Sequence, residues 1–347
     1  MKDTLRVCVI GAGRAGMVHA ANYRRHLVGA ELVAIVEADP VRAEKAARDL
    51  EITASFRDIQ TALDEAEFDA VVITTPTFTH TEIAVDAAQA GKHVFCEKPM
   101  ALTLAECDRM IQAAAMAKVV LQIGFMRRFD PPFMDAFRKI RDGAIGEVMR
   151  IYTMTRGPGL PPRWACDTRT SNGMLAEASS HDFDTIRWLG GADLARVYTE
   201  AETYKCPDLK KEFPDFYDNA LVSVRLVNRV MGIIDTSVPV DYGYDARAEV
   251  LGTKGVMFIG ELRQEALVVC TRETGMVQPQ FIAWRERFRE AYLAEARHFV
   301  ECIVENKTPV VTGTDGKKAV EGVLAANESI RRGAPVSLPV SGPQGVT

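Results

Sequence analysis

Short, continuous apolar runs alternate with amphipathic stretches through the first third of the chain. LRVCVIGAG (5–13) predicts a buried strand ended by glycine. ELVAIVEADP (31–40), AVVITTPT (70–77), KHVFCEKP (92–99) and VVLQIGF (119–125) repeat the pattern, and Pro40 and Pro76 close two of them. Residues 14–26, 41–50, 79–90 and 103–117 carry helical patterns between the strands, and Thr103 with Glu106 forms a capping box. Strands alternating with helices predict βαβ units and a parallel sheet covered on both faces. After Phe125 the pattern changes. MRIYTMTR (149–156), ARVYTEAETYK (195–205), ALVSVRLV (220–227), VMGIIDTSVPV (230–240) and EALVVCTR (265–272) read as strands in succession. Asn228-Arg229 and the segment from Gly252 to Gly255 read as turns. Neighbouring strands of this kind predict an antiparallel sheet, with helices over 286–306 and 317–331. The fold class is therefore α/β, with an N-terminal parallel-sheet domain over 1–124 and a C-terminal α+β domain over 125–347.

Composition narrows the function. Of 347 residues, 47% are hydrophobic and 26% charged, an ordinary globular balance, and the net charge of −5 disfavours nucleic acid as a partner. No apolar run approaches membrane-spanning length, and the N-terminal MKDTLRVCVIGAGRAG does not read as a signal peptide. Seven scattered cysteines form no C-x-x-C pair and the six histidines do not cluster, so neither a disulfide framework nor a metal site is expected. A reducing, cytoplasmic setting fits this usage.

Gly11, Gly13 and Gly16 form G-A-G-R-A-G between the first strand and the first helix. In that context Gly11 permits the tight turn, Gly13 lets a pyrophosphate approach the backbone, and Gly16 lets helix and strand pack closely. The loop of Gly11, Gly13, Arg14, Ala15 and Gly16 is the expected phosphate cradle, at a helix N-terminus with its positive partial charge. Glu37 ends the second strand about 20 residues on, where an acid binds the ribose diol. The competing reading is a structural turn plus a surface glutamate. Glu37 favours NAD over NADP, because a carboxylate repels a 2′-phosphate, while the nearby Arg42 softens that preference.

Two further stretches carry candidate chemistry. VFCEKPMAL (94–102) places Glu97, Lys98 and Pro99 at a strand tip. Open α/β sheets bind ligands beyond such tips, although taken alone Lys98 is first of all an exposed lysine on a turn. GMLAEASSHDFDTIRWLGG (173–191) predicts a helix from about Leu175 to Leu189, with Glu177 and His181 four apart on one face. That spacing lets the carboxylate orient the imidazole, whereas a lone histidine among apolar residues more often belongs to the core.

VIGAGRAG, TTPTFTHTEIA (74–84) and CEKPMALT (96–103) together resemble the Gfo/Idh/MocA family of sugar and cyclitol dehydrogenases. GFMRRFD (124–130), SSHDFDTIRWL (179–189) and YGYDARAEVLG (242–252) resemble its inositol 2-dehydrogenase branch, so the likeness covers most of the chain. The resemblance implies a Rossmann domain followed by a large open, mostly antiparallel sheet whose outer face forms dimers or tetramers in relatives. It implies that Lys98 hydrogen-bonds the reacting hydroxyl, that Pro99 fixes the turn, often through a cis bond, and that His181 accepts the hydroxyl proton. Relatives carry Asp where this chain has Glu177. Thr74, Thr75, Pro76 and Thr77 are expected to line the cofactor, with Glu97 beside it and His80 in support; His80 reads equally as a cap of the following helix. Arg127 is expected to reach the substrate cleft, against a reading as a surface arginine paired with Asp130. Thr155 stands where inositol dehydrogenases often have a different donor. Arg163 and Trp164 lie in a longer loop, where Trp164 either walls a sugar face or packs under the loop. The implied activity is NAD-dependent oxidation of a secondary ring hydroxyl of scyllo- or myo-inositol, or of an all-equatorial aldose such as glucose of either hand. The implied assembly is a homotetramer or dimer. The alternatives are an NAD-dependent glycoside hydrolase of the same family and a non-catalytic dinucleotide sensor.

Overall fold

In a computed structural model, residues 4–264 and 268–339 are described. The chain divides into two compact units: residues 1–129 with 290–320, and residues 130–289 with 321–347.

The first unit alternates as its apolar runs predict. Its elements are β1 (Leu5–Ile10), α1 (Arg14–Arg25), β2 (Ala30–Val36), α2 (Pro40–Leu50), β3 (Ser55–Phe56), α3 (Ile59–Glu65), β4 (Ala70–Ile73), α4 (His80–Gln89), β5 (His93–Glu97), α5 (Leu104–Ala117) and β6 (Leu121–Gly124). All six strands are parallel, in the order β3-β2-β1-β4-β5-β6, the doubly wound arrangement of a dinucleotide-binding sheet. Local chemistry starts the helices. Asp39 caps α2 by accepting from the Val41 and Arg42 N–H groups, Pro40 opens its first turn, and Thr103 with Glu106 completes the capping box of α5. The short β3 and α3 escape the periodicity argument because two residues give no strand pattern.

In the second unit come α6 (Pro131–Arg141), β7 (Val148–Arg156), the short helices α7 (Arg163–Cys166) and α8 (Thr168–Ser171), and a π-helical turn over Leu175–Ser179 that leads into α9 (Ser180–Gly190). β8 (Leu194–Glu202), α10 (Pro207–Glu212), β9 (Asn219–Leu226), β10 (Met231–Ser237), β11 (Asp245–Gly252), β12 (Val256–Ile259), β13 (Val269–Thr271), β14 (Gly275–Val277) and α11 (Trp284–Arg287) follow. The last elements are α12 (Arg289–Glu305), α13 (Gly313–Arg332) and β15 (Val336–Ser337). A seven-stranded sheet runs β12-β11-β7-β10-β9-β8-β15. It is antiparallel except where β10 meets β7 in parallel. Arg229, with φ of 75°, turns the chain between β9 and β10, and Gly252 N–H donates to Gly255 O in the second expected turn. The strand expected over 265–272 is a separate hairpin of β13 with β14; residues 265–267 lie outside the described residues.

The division differs from a single boundary at 124/125. Ala296, Phe299 and Val300 of α12 are buried in the same core as Val7, Val9 and Phe95, so residues 290–320 belong with the first unit. Truncating a buried Phe such as Phe299 to Ala costs about 3–5 kcal/mol, so this return segment is part of the nucleotide fold's stability. Ile186 and Leu189 of α9 pack with Ile151, Val222 and Ile234 on the inner face of the large sheet. That packing fixes the helix carrying His181.

Candidate active site

The glycine loop is built by close approach. A Cβ at Gly16 would stand 1.8 Å from the Gly11 carbonyl oxygen, so only glycine lets α1 start against the loop, and Gly11 has φ of 99°. A Cβ at Gly13 would meet nothing within 4 Å, which leaves that backbone open to a ligand. Thr74 Oγ1 donates to the main-chain oxygens of Ile10 and Gly11 at 3.0 and 2.8 Å and holds the loop from behind. Arg14 is exposed and Ala15 half-buried at the opening of α1.

Glu37 is buried, and its carboxylate accepts the Ala12 N–H at 2.8 Å and the Asp39 N–H at 3.0 Å. Arg42 donates through Nε to Asp39 Oδ2 at 3.2 Å and lies 3.8 Å from Glu37 Oε1. Its charge is thus balanced by two carboxylates. These features fit a dinucleotide with a free ribose diol: a glycine cradle at a helix start, and an acid at the tip of β2.

The Thr75–Thr77 turn follows β4. Thr79 Oγ1 donates to Thr75 Oγ1 and to Pro76 O at 2.7 and 2.8 Å, and Thr77 is buried. His80 is completely buried, with Nε2 at 2.8 Å from Thr75 O and Nδ1 at 2.9 Å from Pro99 O. Both ring nitrogens face backbone carbonyls, and the neutral ring donates its one N–H to one of them. His80 therefore ties the Thr75 turn to the Glu97–Pro99 turn, and its ring does not cap the following helix.

The Lys98–Pro99 peptide bond is cis. Lys98 is half-buried at the tip of β5. Glu97 turns inward: Oε1 lies 2.8 Å from His19 Nε2, and Oε2 accepts the Lys98 main-chain N–H at 3.0 Å. Both carboxylate oxygens thus serve the protein, and Glu97 fixes the lysine turn. Arg127, next to β6, is buried rather than at the surface, and Asp130 accepts a bidentate pair from Arg287 at 2.9 and 3.0 Å.

In the second unit His181 is buried in the first turn of α9, and Glu177 is half-buried in the π-helical turn before it. The single α-helix expected from Leu175 is thus interrupted. In this wider turn the fourth residue on falls short of a full circle instead of passing it, so the α-helical spacing argument does not set the relation of Glu177 to His181. Thr155 Oγ1 donates to the buried Asp182 at 2.7 Å. Asp182 follows His181 directly and was not legible as a site residue, because an acid on a helix carries no signal of burial. Arg163 is exposed, donates to Glu212 and lies over the Phe213 ring at 5.8 Å, so it anchors its own loop. Trp164 is half-buried and its carbonyl accepts from Thr170 Oγ1. Among the described residues, no group of His, Cys, Asp and Glu is arranged to hold a metal ion, and no helix is long and apolar enough to cross a membrane.

Comparison with known proteins bears on the same features. Residues 5–125 match the model of an oxidoreductase family with an NAD-binding Rossmann fold, and residues 138–338 match that family's C-terminal alpha/beta domain. The chain is 37% identical over 342 residues to the scyllo-inositol 2-dehydrogenase (NAD(+)) of Bacillus subtilis, covering 98% of each chain. It is 34% identical to the myo-inositol 2-dehydrogenase of Thermotoga maritima, covering 96% of this chain and 98% of that one. The crystal structure of scyllo-inositol dehydrogenase from Lactobacillus casei with bound NAD(H) and scyllo-inositol superposes with a TM-score of 0.89 at 28% identity, over 96% of this chain and 99% of that one. With the doubly wound sheet, the glycine cradle and Glu37 already pointing to NAD, these matches establish that the chain belongs to the Gfo/Idh/MocA family of NAD-dependent oxidoreductases.

Proposed function

We propose that this protein oxidises a secondary ring hydroxyl of a cyclitol, scyllo- or myo-inositol, to the corresponding inosose. The observation that carries this reading is the Lys98 turn, held at a β-strand tip of the NAD-binding sheet by Glu97 and His80, in a chain 37% identical to a scyllo-inositol 2-dehydrogenase. Bound NAD⁺ supplies the hydride acceptor. Lys98 donates a hydrogen bond to the reacting oxygen and favours its developing negative charge. His181 takes the hydroxyl proton as general base, and Glu177 and Asp182 fix the stretch of helix that carries it. Arg127 and Trp164 complete the polyol-binding surface in this reading. An all-equatorial pyranose has nearly the same shape as scyllo-inositol, so glucose of either hand is the second substrate class, with a lactone as product.

The test is a panel of inositols and aldoses with NAD⁺ and NADP⁺, read at the NADH absorbance. Net NADH with a free polyol supports the dehydrogenase. Cleavage of a glycoside without net NADH would establish the hydrolase instead, and tight NAD binding without turnover would establish a sensor. His181→Asn is expected to lower kcat by about 10²–10⁴-fold, the worth of a positioned base, with NAD affinity kept.

The same reading includes a homo-oligomer, a dimer or tetramer, formed through the outer face of the seven-stranded sheet. That face exposes Leu221, Met231 and Ile233. Arg196 stands directly opposite Arg225, while Glu200 and Glu202 lie further along the same face of β8. A two-fold pairing brings the basic end of one copy onto the acidic end of the other. Light scattering on wild type and on Ile233→Lys tests it: the oligomer is expected to dissociate in the variant.

A further inference from the structure

The dehydrogenase reading leaves unexplained a set of polar side chains buried behind the Lys98 turn. Glu97 stands opposite Gly124 in the β5–β6 register. A Cβ at Gly124 would lie 3.2 Å from the Cα, Cδ and Oε2 of Glu97, so the carboxyl fills the space that glycine leaves. Its partner His19 is packed beside Phe95, with ring centroids 5.0 Å apart, and against the edge of Tyr292 at 5.4 Å. Three residues beyond Tyr292 on α12 is Glu295, completely buried. Gln122 Nε2 donates to the Glu295 main-chain oxygen at 3.2 Å. Neither Glu295 carboxyl oxygen has a hydrogen-bond partner in the protein, and the same holds for His19 Nδ1, Tyr23 Oη and Gln122 Oε1.

Such a cluster does not arise from a requirement of stability. A buried polar group without a partner costs free energy, and an apolar residue of the same size removes that cost. Burial and the charge of Glu97 push the Glu295 carboxyl well above its ordinary pKa. A neutral carboxyl is a donor as well as an acceptor, and a buried water bridges such a group to unpartnered neighbours of the kinds found here, a hydroxyl, an amide oxygen and an imidazole nitrogen.

We propose that Glu295 and His19 are positioning residues for Lys98: Glu295, through one buried water, locks the His19 ring onto Glu97, and Glu97 fixes the Lys98 amide. The chain of command runs from α12 through α1 to the tip of β5. It gives the return of residues 290–320 to the first unit a catalytic consequence. The inference rests on the reading that Lys98 contacts the reacting hydroxyl.

The test uses Glu295→Leu, Glu295→Gln, Gly124→Ala and Lys98→Met in the full chain, with melting temperature, NAD⁺ dissociation constant, and kcat and KM for scyllo-inositol as readouts. Glu295→Leu is expected to melt higher than wild type yet to turn over about ten- to a hundredfold more slowly, the scale of a small misplacement of a reacting group, with NAD⁺ affinity unchanged. Glu295→Gln keeps the donor and is expected to hold kcat within about twofold. Gly124→Ala crowds Glu97 from the other side and is expected to lower kcat without loss of NAD⁺ affinity, which keeps the proposal testable if Glu295→Leu does not fold. A Glu295→Leu or Gly124→Ala variant with wild-type kcat overturns the inference. Full turnover in Lys98→Met sinks the underlying reading; loss of turnover there, with Glu295→Leu fully active, sinks only the positioning role.

Discussion

The Glu37 carboxylate accepts the Ala12 main-chain N–H at 2.8 Å, joining the tip of β2 to the glycine loop. The acid at the tip of β2 is therefore also a strut of the glycine loop. Asp39, two residues further on, caps α2 and at the same time holds the Arg42 guanidinium.

That arrangement is expected to set the preference for NAD over NADP. Arg42 has the charge to meet a 2′-phosphate, but Asp39 and Glu37 neutralise it. Replacing both acids by serine frees the guanidinium and removes the repulsion. The ratio of kcat/KM for NAD⁺ over NADP⁺ is expected to fall by roughly ten- to a hundredfold, the worth of one charged hydrogen bond. Initial rates with the two cofactors measure it.

Two glycines of the loop separate folding from binding. Gly16→Ala forces a Cβ to 1.8 Å from the Gly11 carbonyl, so it is expected to lower the melting temperature and abolish NAD⁺ binding together. Gly13→Ala meets no protein atom and is expected to leave the melting temperature unchanged while weakening NAD⁺ binding. Thermal melts with and without NAD⁺ distinguish the two; equal loss of stability in both variants contradicts the assignment.

Thr155→Val tests the support under His181. The change removes a hydrogen bond to the buried Asp182 without changing side-chain shape. Removing a donor to a buried acceptor costs about 1–3 kcal/mol, and urea unfolding is expected to show a loss of that size. Thr155→Ser keeps the donor and is expected to retain most of the stability.

Three histidines make the fold acid-sensitive. Burial outweighs the carbonyl partners of His80 and lowers its pKa below 6.5; His93 and His298 move the same way, with burial again the largest cause. Below pH 6.5 the unfolded chain takes up protons that the folded chain refuses, so stability falls as pH drops through that value towards the folded pKa. Each group contributes at most about 1.4 kcal/mol per pH unit. His80→Gln is expected to flatten the stability profile between pH 6.5 and 5 by up to one proton's share, as read by urea titrations at several pH values.

The parallel core, the glycine loop and Glu37 were legible because each is a local pattern: apolar runs of strand length, a strand–turn–helix glycine spacing, and an acid at the next strand tip. Less of the site was legible. His80 and Glu97 have the right residue types beside the right turns, yet their side chains point into the protein, and sequence periodicity does not report that. His19, Asp182 and Glu295 gave no signal, since a polar residue on a helix reads as solvated until packing buries it. The π-helical turn at Leu175–Ser179 escaped for a related reason: its sequence satisfies the α-helical pattern equally well.

The amino-acid order by itself determined the strand and helix alternation, the phosphate loop and the lysine at a strand tip, because backbone propensity and short-range spacing dictate those features. Only the tertiary structure decided that residues 290–320 return to the nucleotide unit, that Glu97 bonds His19 and the Lys98 amide, and that Thr155 serves Asp182. The Glu97–His19 and Thr155–Asp182 contacts join residues distant in the chain, and the exclusion of water that makes each contact matter arises only when the core closes around it.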